Sequence, residues 1–352
     1  MKGSITVRDV AKALGVSPST VSRALSSPEL VAPRTRQQIL DKARELGYSP
    51  NSAARGLVTG RKETLGLVVP DLENPYFASV TKGVQARALA AGFSVFVADS
   101  DEDGRVELDL VRKLKPQVDG LILCSSRMSD PDLAALVGDT SVLLINRRMH
   151  GLPNITVNDE EIVRQALEHL HALGHRRVGY AGGPTGSWSD RQRRLGIEKA
   201  TPGLSGLDVV SLGAFAPVFG GGQSAADLAV AAGVTAVLAY NDLVALGIIA
   251  RLNARGIHVP NAMSVVGIDD INAATLVSPA LTTVRAPLRR LGSAAVDRLV
   301  DSLDPNSVPR PAEDLPIELV VRQSTSVPSP SAHERPSGNV AGRNERKLHA
   351  SI

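Results

Sequence analysis

A short segment near the N-terminus, PSTVSRAL, carries side chains suited to hydrogen bonding with a polar, negatively charged partner. At helical spacing its apolar residues share one side, which leaves Pro18, Ser19, Ser22 and Arg23 on the other. The guanidinium of Arg23 can donate two parallel hydrogen bonds to the edge of a guanine base, and neighbouring hydroxyls can hold phosphates. This chemistry requires a helix that presents the face and positive charge around it.

Two short helices joined by a tight turn are predicted to present this face. The first begins after Thr6 and ends at Gly15, which supplies a left-handed C-cap. The second has Ser17 as its N-cap and Pro18 at its first position, where the missing N–H is not needed. With a third helix over 33–47, the pattern is that of a helix-turn-helix, which places its second helix in the major groove of DNA. A small helical bundle without a nucleic-acid role is the alternative.

The distribution of charge favours the helix-turn-helix interpretation. Residues 1–62 contain 11 Lys and Arg against 4 Asp and Glu, whereas the rest of the chain contains 28 against 32. The net charge of +3 therefore combines a basic N-terminal part with a mildly acidic remainder. Such a basic part is the electrostatic footprint of a phosphate-binding surface.

Composition limits the class of protein. The 352 residues are enough for two or three domains, and the 43% of apolar residues include no run long enough to cross a bilayer. No apolar signal stretch opens the chain, and the single cysteine, Cys124, has no second cysteine with which to form an internal disulfide. We therefore expect a cytoplasmic protein in which Cys124 is a buried strand thiol.

Eight apolar runs of strand length alternate with helix-length segments after residue 63. They are TLGLVVPD, FSVFVADS, VDGLILCS, SVLLINR, RRVGYAGG, LDVVSLG, TAVLAYND and SVVGIDD. Buried parallel strands joined by crossover helices give this alternation, and eight strands exceed one ordinary sheet, so two parallel sheets in two lobes are predicted. Several runs end in polar residues, namely Asp71, Asp99, Asn146, Asp242 and Asp269. Because ligands collect at the carboxyl ends of parallel strands, we expect a small polar ligand between the lobes.

The order of motifs along the chain resembles that of the lactose-repressor (LacI-type) family of transcriptional regulators. The motifs cover residues 5–326 and are TVRDVAKALGVSPSTVSRAL, GYSPNSAARGL, LGHRRVGYAGGP, YNDLVALG, SVVGIDD, PALTTVR and RRLGSAAVDRL. The resemblance implies a homodimer that binds a pseudopalindromic operator in double-stranded DNA, with a core similar to periplasmic sugar-binding proteins. It implies neither a cofactor nor a metal.

The resemblance and the changes in sequence character divide the chain into four parts. An all-α helix-turn-helix head takes residues 1–50, and a hinge helix and linker take 51–62. An α/β core of two lobes, which binds the effector and dimerises, takes 63–327. A tail rich in Pro, Ser and Arg, which we expect to be disordered, takes 328–352.

The family's DNA-contacting residues map onto matching positions of this sequence. The positions implied to read bases are Pro18, Ser19 and Arg23, and those implied to hold phosphates are Thr6, Ser17, Thr20 and Ser22. Capping of the second helix is an equally good role for Ser17. In the hinge the implied minor-groove positions are Asn51, Ala54 and Leu57. Leu57 is either the apolar wedge that opens a base step or a packing residue of the linker.

The resemblance also implies a set of effector contacts. They are Tyr76, Phe77, Asn146, Trp188, Arg193, Phe215, Asn241 and Asp269. Trp188 either stacks on a sugar ring or lies in the core or at the rim. The sequence departs from the family pattern at Asn158, a common aspartate, at Ile162, a common glycine, in the shortened segment 199–210 and in FGGGQS. The expected effector is a sugar or sugar derivative, and a purine or other non-sugar ligand is the alternative.

Three classes of function fit a two-lobed α/β core. An effector-controlled regulator explains the basic head, which a binding protein for sugar uptake would not need. A Rossmann-type enzyme would show Gly-x-Gly-x-x-Gly after the first strand or a P-loop, and the sequence shows neither. We therefore predict a DNA-binding repressor, not an enzyme, whose affinity for its operator is controlled by a bound small molecule.

Overall fold

The computed structural model describes residues 5–26, 28–48, 62–136, 141–304 and 315–329. The predicted hinge positions Asn51, Ala54 and Leu57 lie outside these ranges, as does the predicted tail from residue 330 onward. The head contains three helices with bounds close to those predicted, α1 (Val7–Leu14), α2 (Pro18–Ser26) and α3 (Pro33–Leu46).

Local capping interactions set the ends of the head helices. The N–H and the hydroxyl of Thr6 donate to the Asp9 carboxylate over 2.8 and 2.7 Å, and these bonds lower the pKa of Asp9. Gly15 ends α1 with a φ of 66°, and Gly47 ends α3 with a φ of 70°. The three helices enclose one apolar cluster, whose buried members are Val10, Ala11, Val21, Ala24, Ile39 and Ala43.

The first lobe of the core is built on a five-stranded parallel sheet with the order β2-β1-β3-β4-β5. Its strands are β1 (Thr64–Val69), β2 (Ser94–Asp99), β3 (Gly120–Cys124), β4 (Ser141–Ile145) and β5 (Asn154–Ile155). Its helices are α4 (Pro75–Ala90), α5 (Gly104–Leu114), α6 (Asp130–Ala134) and α12 (Leu288–Ser302). Because β1 and β3 are buried along their whole length, they appear in the sequence as uninterrupted apolar runs.

The second lobe is built on a six-stranded sheet with the order β11-β10-β9-β8-β6-β7. Its strands are β6 (Arg177–Gly182), β7 (Asp208–Ala214), β8 (Ala236–Ala239), β9 (Ser264–Ile268), β10 (Thr282–Arg285) and β11 (Glu318–Val320). Its helices are α7 (Asp159–Ala172), α8 (Trp188–Ala200), α9 (Phe219–Ala231), α10 (Asp242–Ala254) and α11 (Ala273–Leu276).

The predicted two-lobed α/β fold is confirmed, and all eight predicted strands are present. Sequence analysis missed three short strands, β5, β10 and β11. The last of these runs antiparallel to β10 at the edge of an otherwise parallel sheet. No helix within the described ranges is long and apolar enough to span a membrane.

The chain passes between the lobes rather than completing one before the other. It leaves the first lobe between β5 and α7, and it returns there between β10 and α12, which packs on α4 and on β3 to β5. The connections around 156–158 and 286–287 therefore lie between the lobes. They lie beside the carboxyl ends of the strands, where the candidate ligand cavity is found.

The end of the described chain is held on the second lobe by a buried histidine. The ring nitrogens of His175 lie 2.8 Å from Thr235 Oγ1, 3.1 Å from Ser264 Oγ and 3.0 Å from the Ser326 carbonyl oxygen. Burial lowers the pKa of His175 despite the hydrogen bond to Ser326, and the neighbouring His169 adds to the effect. The neutral imidazole is therefore the form that the fold stabilises.

We expect His175 to make the protein less stable in mild acid. Because its pKa falls on folding, its contribution is complete above the unfolded value of about 6.5 and is lost as the pH decreases below it. Between roughly pH 7 and pH 5 the free energy of unfolding should therefore decrease more in the wild type than in His175→Gln. Urea unfolding across this range measures the difference.

His150 provides the matched control because it is exposed. His150→Gln should keep the pH dependence of the wild type. Buried carboxylates with raised pKa values, such as Asp159, act in the opposite direction but are common to all three proteins. An identical pH dependence in His175→Gln and the wild type would show that His175 does not titrate differently on folding.

Candidate functional site

The open face of α2 is the candidate DNA-contacting surface of the head. Pro18, Ser19, Ser22 and Arg23 are all exposed on it, as predicted. Arg23 has no intramolecular partner in the described part of the chain, so its guanidinium is available to an external acceptor. Val21 and Ala24, on the opposite side of α2, are buried against the other head helices.

Ser17 caps α2, which is one of its two predicted roles. Its hydroxyl oxygen accepts the N–H of Thr20 over 3.1 Å, and it lies 2.7 Å from the hydroxyl of Ser19 and 2.8 Å from that of Thr20. Three hydroxyls therefore gather at the N-terminus of α2, where the helix dipole favours an anion. This arrangement is compatible with a phosphate contact in addition to the cap.

A cavity lies between the two lobes of the core, with about 500 Å³ of empty space when the open solvent at its entrance is included. Its lining comes from the carboxyl ends of strands in both sheets and from the helices that follow them. The lining residues are Asn74, Tyr76, Phe77, Glu102, Ser125, Arg127, Asn146, Val157, Ile162, Ser189, Arg193, Pro217, Tyr240, Asn241, Ile268, Asp269 and Ala286.

Strained backbone occurs at three strand ends that border the cavity. Ser125, Asn146 and Asp269 directly follow β3, β4 and β9, and their φ angles are 49°, 52° and 116°. Residues other than glycine rarely adopt a positive φ, which costs about 1–3 kcal/mol per residue. Such strain is typical of binding sites, because the surrounding structure must hold it in place for the side chain to face a ligand.

Arg193 is the central cation of the second-lobe side. Its Nε donates to the Asp159 carboxylate over 2.8 Å, and its Nη1 donates to the Tyr240 carbonyl oxygen. Its guanidinium carbon also lies 4.8 Å from the centroid of the Tyr240 ring. Burial opposes its charge, but Asp159 and Tyr240 outweigh burial and raise the pKa of Arg193. Arg193 is therefore a fixed, fully charged donor at the cavity.

Asp269 faces the same cavity without a hydrogen-bond partner for its carboxyl group in the described part of the chain. Burial raises the pKa of Asp269, and the nearby Asp242 raises it further. Asp242 lies behind it, where its oxygens accept the Thr283 hydroxyl over 2.6 Å and the Ile271 N–H over 2.9 Å. Asp242 thus belongs to the framework, whereas the carboxyl group of Asp269 lines the cavity.

Arg127 is the corresponding cation of the first lobe. Its Nε and Nη2 lie 2.5 and 3.0 Å from the two carboxylate oxygens of Glu102, and its Nη1 donates to the Ser125 carbonyl oxygen over 2.7 Å. The backbone N–H of Arg127 donates to the buried Glu107 over 2.7 Å. Burial opposes the charge of Arg127, but Tyr240, Glu102 and Glu107 raise its pKa overall.

Two amide side chains in the cavity also have structural roles. Asn146 donates to the Tyr76 hydroxyl and accepts the Val157 N–H over 3.4 Å. Asn241 caps α10 by accepting the Val244 N–H over 2.9 Å, and its Nδ2 donates to the Pro217 carbonyl oxygen over 2.9 Å.

Six of the eight predicted effector contacts line the cavity, namely Tyr76, Phe77, Asn146, Arg193, Asn241 and Asp269. Trp188 does not line it, and its ring centroid lies 6.0 Å from the Arg148 guanidinium carbon. Phe215 is half-buried against the apolar cluster of the second lobe. Asp71 and Asp99, which also end strand runs, instead accept backbone N–H groups from the loops after β1 and β2.

Sequence analysis missed several polar lining residues, above all Glu102, Arg127, Ser125 and Tyr240. Ser125 and Tyr240 directly follow β3 and β8, so the rule that polar residues at strand ends face a ligand would have found them. The Glu102–Arg127 pair joins two loops 25 residues apart and has no local signal. No group of three His, Cys, Asp or Glu side chains in the described ranges is placed to hold a metal ion.

Comparison with protein families identifies both parts of this arrangement. Residues 6–51, which contain the three head helices, match the model of bacterial regulatory proteins of the lacI family. Residues 167–325 match the periplasmic binding protein-like domain. The transcriptional regulator PtxS of Pseudomonas plecoglossicida is 32% identical over 332 residues, which cover 92% of this chain and 96% of that protein.

This chain belongs to the lacI family of regulatory proteins. A crystal structure of the lac repressor dimer bound to operator and the anti-inducer ONPF matches it with a TM-score of 0.82, at 28% identity, and covers 92% of this chain and 100% of that one. A complex of the regulator CelR with cellobiose matches with a TM-score of 0.67, at 28% identity, and covers 91% and 99% of the two chains. The lacI-family chain is thus a DNA-binding transcriptional regulator, as its sequence predicted.

Proposed function

We propose that this lacI-family chain is a homodimeric repressor, not an enzyme, whose affinity for a pseudopalindromic operator is set by a small molecule in the cavity. The proposal rests on one observation: the same chain contains a cavity with polar lining between two lobes and an exposed helix, α2, in a basic head. The similarity to the lac repressor dimer on its operator supports the proposed binding of DNA, and the similarity to CelR with cellobiose supports a sugar as the small molecule. We also propose that it acts in the cytoplasm, where its operator would be.

The head would dock α2 in the major groove, with Pro18, Ser19 and Arg23 against base edges. Phosphates would be held by Thr6, Ser17, Thr20 and Ser22. The proposed parts are the head over 1–50, the hinge over 51–62, the core over 63–327 and the tail over 328–352. In the hinge, Asn51 would cap a helix and Ala54 and Leu57 would meet the minor groove, with Leu57 as the wedge.

Control by the effector requires different affinity for two states of the core. The cavity is lined from both lobes, so a ligand held there changes the relative free energy of arrangements with different angles between them. In a dimer that angle sets the spacing of the two hinge segments, and operator affinity follows. By linkage, operator DNA changes the affinity for the effector by the same factor.

The base-reading role of Arg23 tests this proposal. Binding-site selection from a random duplex pool, performed at stated ionic strength, should recover a pseudopalindrome. Arg23→Ala should weaken binding to that duplex by about tenfold or more, because a bidentate arginine–guanine contact is lost in each half-site. Binding to random duplex should change much less. Fluorescence anisotropy measures both affinities.

Arg44→Ala is the matched control, because it removes the same charge from an exposed position in the last turn of α3. It should retain the preference for the selected duplex. Recovery of no preferred sequence by the wild type would reject the proposed function. An Arg23→Ala variant that discriminates as well as the wild type would reject the role of Arg23.

A further inference from the structure

The charged groups of the cavity are already matched to one another. In the first lobe Arg127 forms a bidentate ion pair with Glu102, and the side chain of Arg127 is only 6% exposed. In the second lobe Arg193 is paired with Asp159, whose side chain is 1% exposed. Each guanidinium thus has its own carboxylate, and neither leaves an uncompensated positive charge for an anion.

One acidic lining group, Asp269, has no hydrogen-bond partner for its carboxyl group in the described part of the chain, and burial and the nearby Asp242 raise its pKa. A carboxyl group accepts hydrogen bonds from ligand hydroxyls and, when it is protonated, also donates one. Each paired guanidinium still has N–H groups that no described residue accepts, since Arg127 and Arg193 use only part of their five donors. Hydroxyl groups, which both donate and accept, satisfy all three side chains at once.

The aromatic surfaces of the cavity do not favour a flat ligand. The face of Tyr240 is covered by the Arg193 guanidinium at 4.8 Å. Tyr76 and Phe77 are buried and contact each other edge to face, with ring centroids 5.0 Å apart. These contacts reduce the ring surface on which a nucleobase could stack, whereas a non-planar, polyhydroxylated molecule does not need such a surface.

From this geometry we infer that the effector is an uncharged sugar and that Glu102, by neutralising Arg127, excludes sugar acids and sugar phosphates. The inference rests on the proposed function and narrows its ligand class. It also assigns to Glu102 a role that no strand-end rule predicts. Without the negative charge of Glu102, the guanidinium of Arg127 would be free to pair with a ligand carboxylate.

Matched pairs of ligands test the charge preference. Isothermal titration calorimetry would compare aldoses with their aldonates, such as glucose with gluconate, ribose with ribonate and cellobiose with cellobionate, and glucose with glucose 6-phosphate. The wild type should bind the neutral member of at least one pair about tenfold or more tightly than its charged counterpart. A wild type that binds the charged member as tightly would overturn the inference, as would binding of adenine or guanine but of no sugar.

Two variants with opposite charge changes test the role of Glu102. Glu102→Gln should decrease the ratio of affinities for the neutral and the acidic ligand of a pair by about tenfold. The decrease should come chiefly from tighter binding of the acid, because Arg127 loses its internal counter-ion. Arg127→Met should weaken binding of the acid further, because Glu102 is left unpaired. If the two variants instead weaken both members of a pair equally, Glu102 and Arg127 have only a structural role and the inference fails.

Glu73→Gln is the control, since Glu73 is exposed on the same lobe and does not line the cavity. It removes the same charge and should keep the wild-type preference. The effect of each ligand on operator binding, measured in parallel, distinguishes failure of the uncharged-sugar inference from failure of the proposed function. A nucleobase that changes operator affinity would overturn the uncharged-sugar inference alone, whereas loss of sequence preference for DNA would overturn the proposed function itself.

Discussion

Arg193→Ala should both destabilise the core and abolish the response to effector. Arg193 is the buried cation opposite Asp159, so its removal leaves a carboxylate that is 1% exposed without its counter-ion. Breaking a buried pair from one side costs about 3–5 kcal/mol. The same change removes the guanidinium N–H groups that face the cavity. Thermal unfolding and calorimetric titration should therefore both report large losses.

The two losses can be separated with a second substitution. Asp159→Asn in the Arg193→Ala background removes the unpaired charge and should recover much of the free energy of unfolding. It should not restore ligand binding, because the guanidinium is still missing. DNA binding by the head should survive in the double variant. If the double variant responds to ligand at the wild-type concentration, Arg193 is not required for effector binding.

The head could be predicted almost completely because its helix ends depend on neighbouring residues. Thr6 bonds to Asp9 within one turn, Ser17 caps the helix that begins one residue later, and Gly15 adopts the left-handed φ that ends α1. In each case the partner lies within four positions along the chain. Short-range patterns of this kind are readable without knowledge of the fold.

The strands of the core could be predicted where the sequence contains an apolar run. Fully buried strands such as β3 and β9 appear as apolar runs, whereas β10, with the sequence TTVR, contains one apolar residue in four. The first three residues of β10 are buried nonetheless, and its two threonines bond to other segments: Thr282 N–H donates to the Ser324 hydroxyl oxygen, and the Thr283 hydroxyl donates to Asp242. In β10, hydrogen bonds to distant segments satisfy polar residues that are buried in the core. A short stretch of sequence does not show such bonds, so β10 was not predicted.

The cavity shows the same division between local and distant information. The rule that polar residues at strand ends face a ligand predicted Asn146 and Asp269, which line the cavity. The same rule predicted Asp99, whose carboxylate instead accepts the N–H groups of Leu72 and Asp101. Pairing across loops decides which charges remain available. Asp159 is 34 residues from Arg193, and only the folded chain shows that they neutralise each other.

The other large effect is expected at the crossing of α9 and α10, where the unusual FGGGQS segment begins α9. A Cβ atom on Gly222 would overlap the carbonyl oxygen of Val244, and one on Gly247 would overlap that of Phe219. The two helices therefore touch through their backbones, and Gly222→Ala should force them apart. We expect a loss of about 2–3 kcal/mol in the free energy of unfolding, as for overpacking of a rigid core.

Gly220 lies two residues earlier in the same helix and separates steric overlap from helix propensity. A Cβ atom there would meet nothing within 4 Å, so Gly220→Ala should stabilise α9 by up to about 1 kcal/mol through reduced backbone entropy. The two substitutions are chemically identical and should have opposite signs in thermal or urea unfolding. If both stabilise the protein, the close approach of α9 and α10 is not rigid. The glycines of FGGGQS would then reflect something other than helix packing.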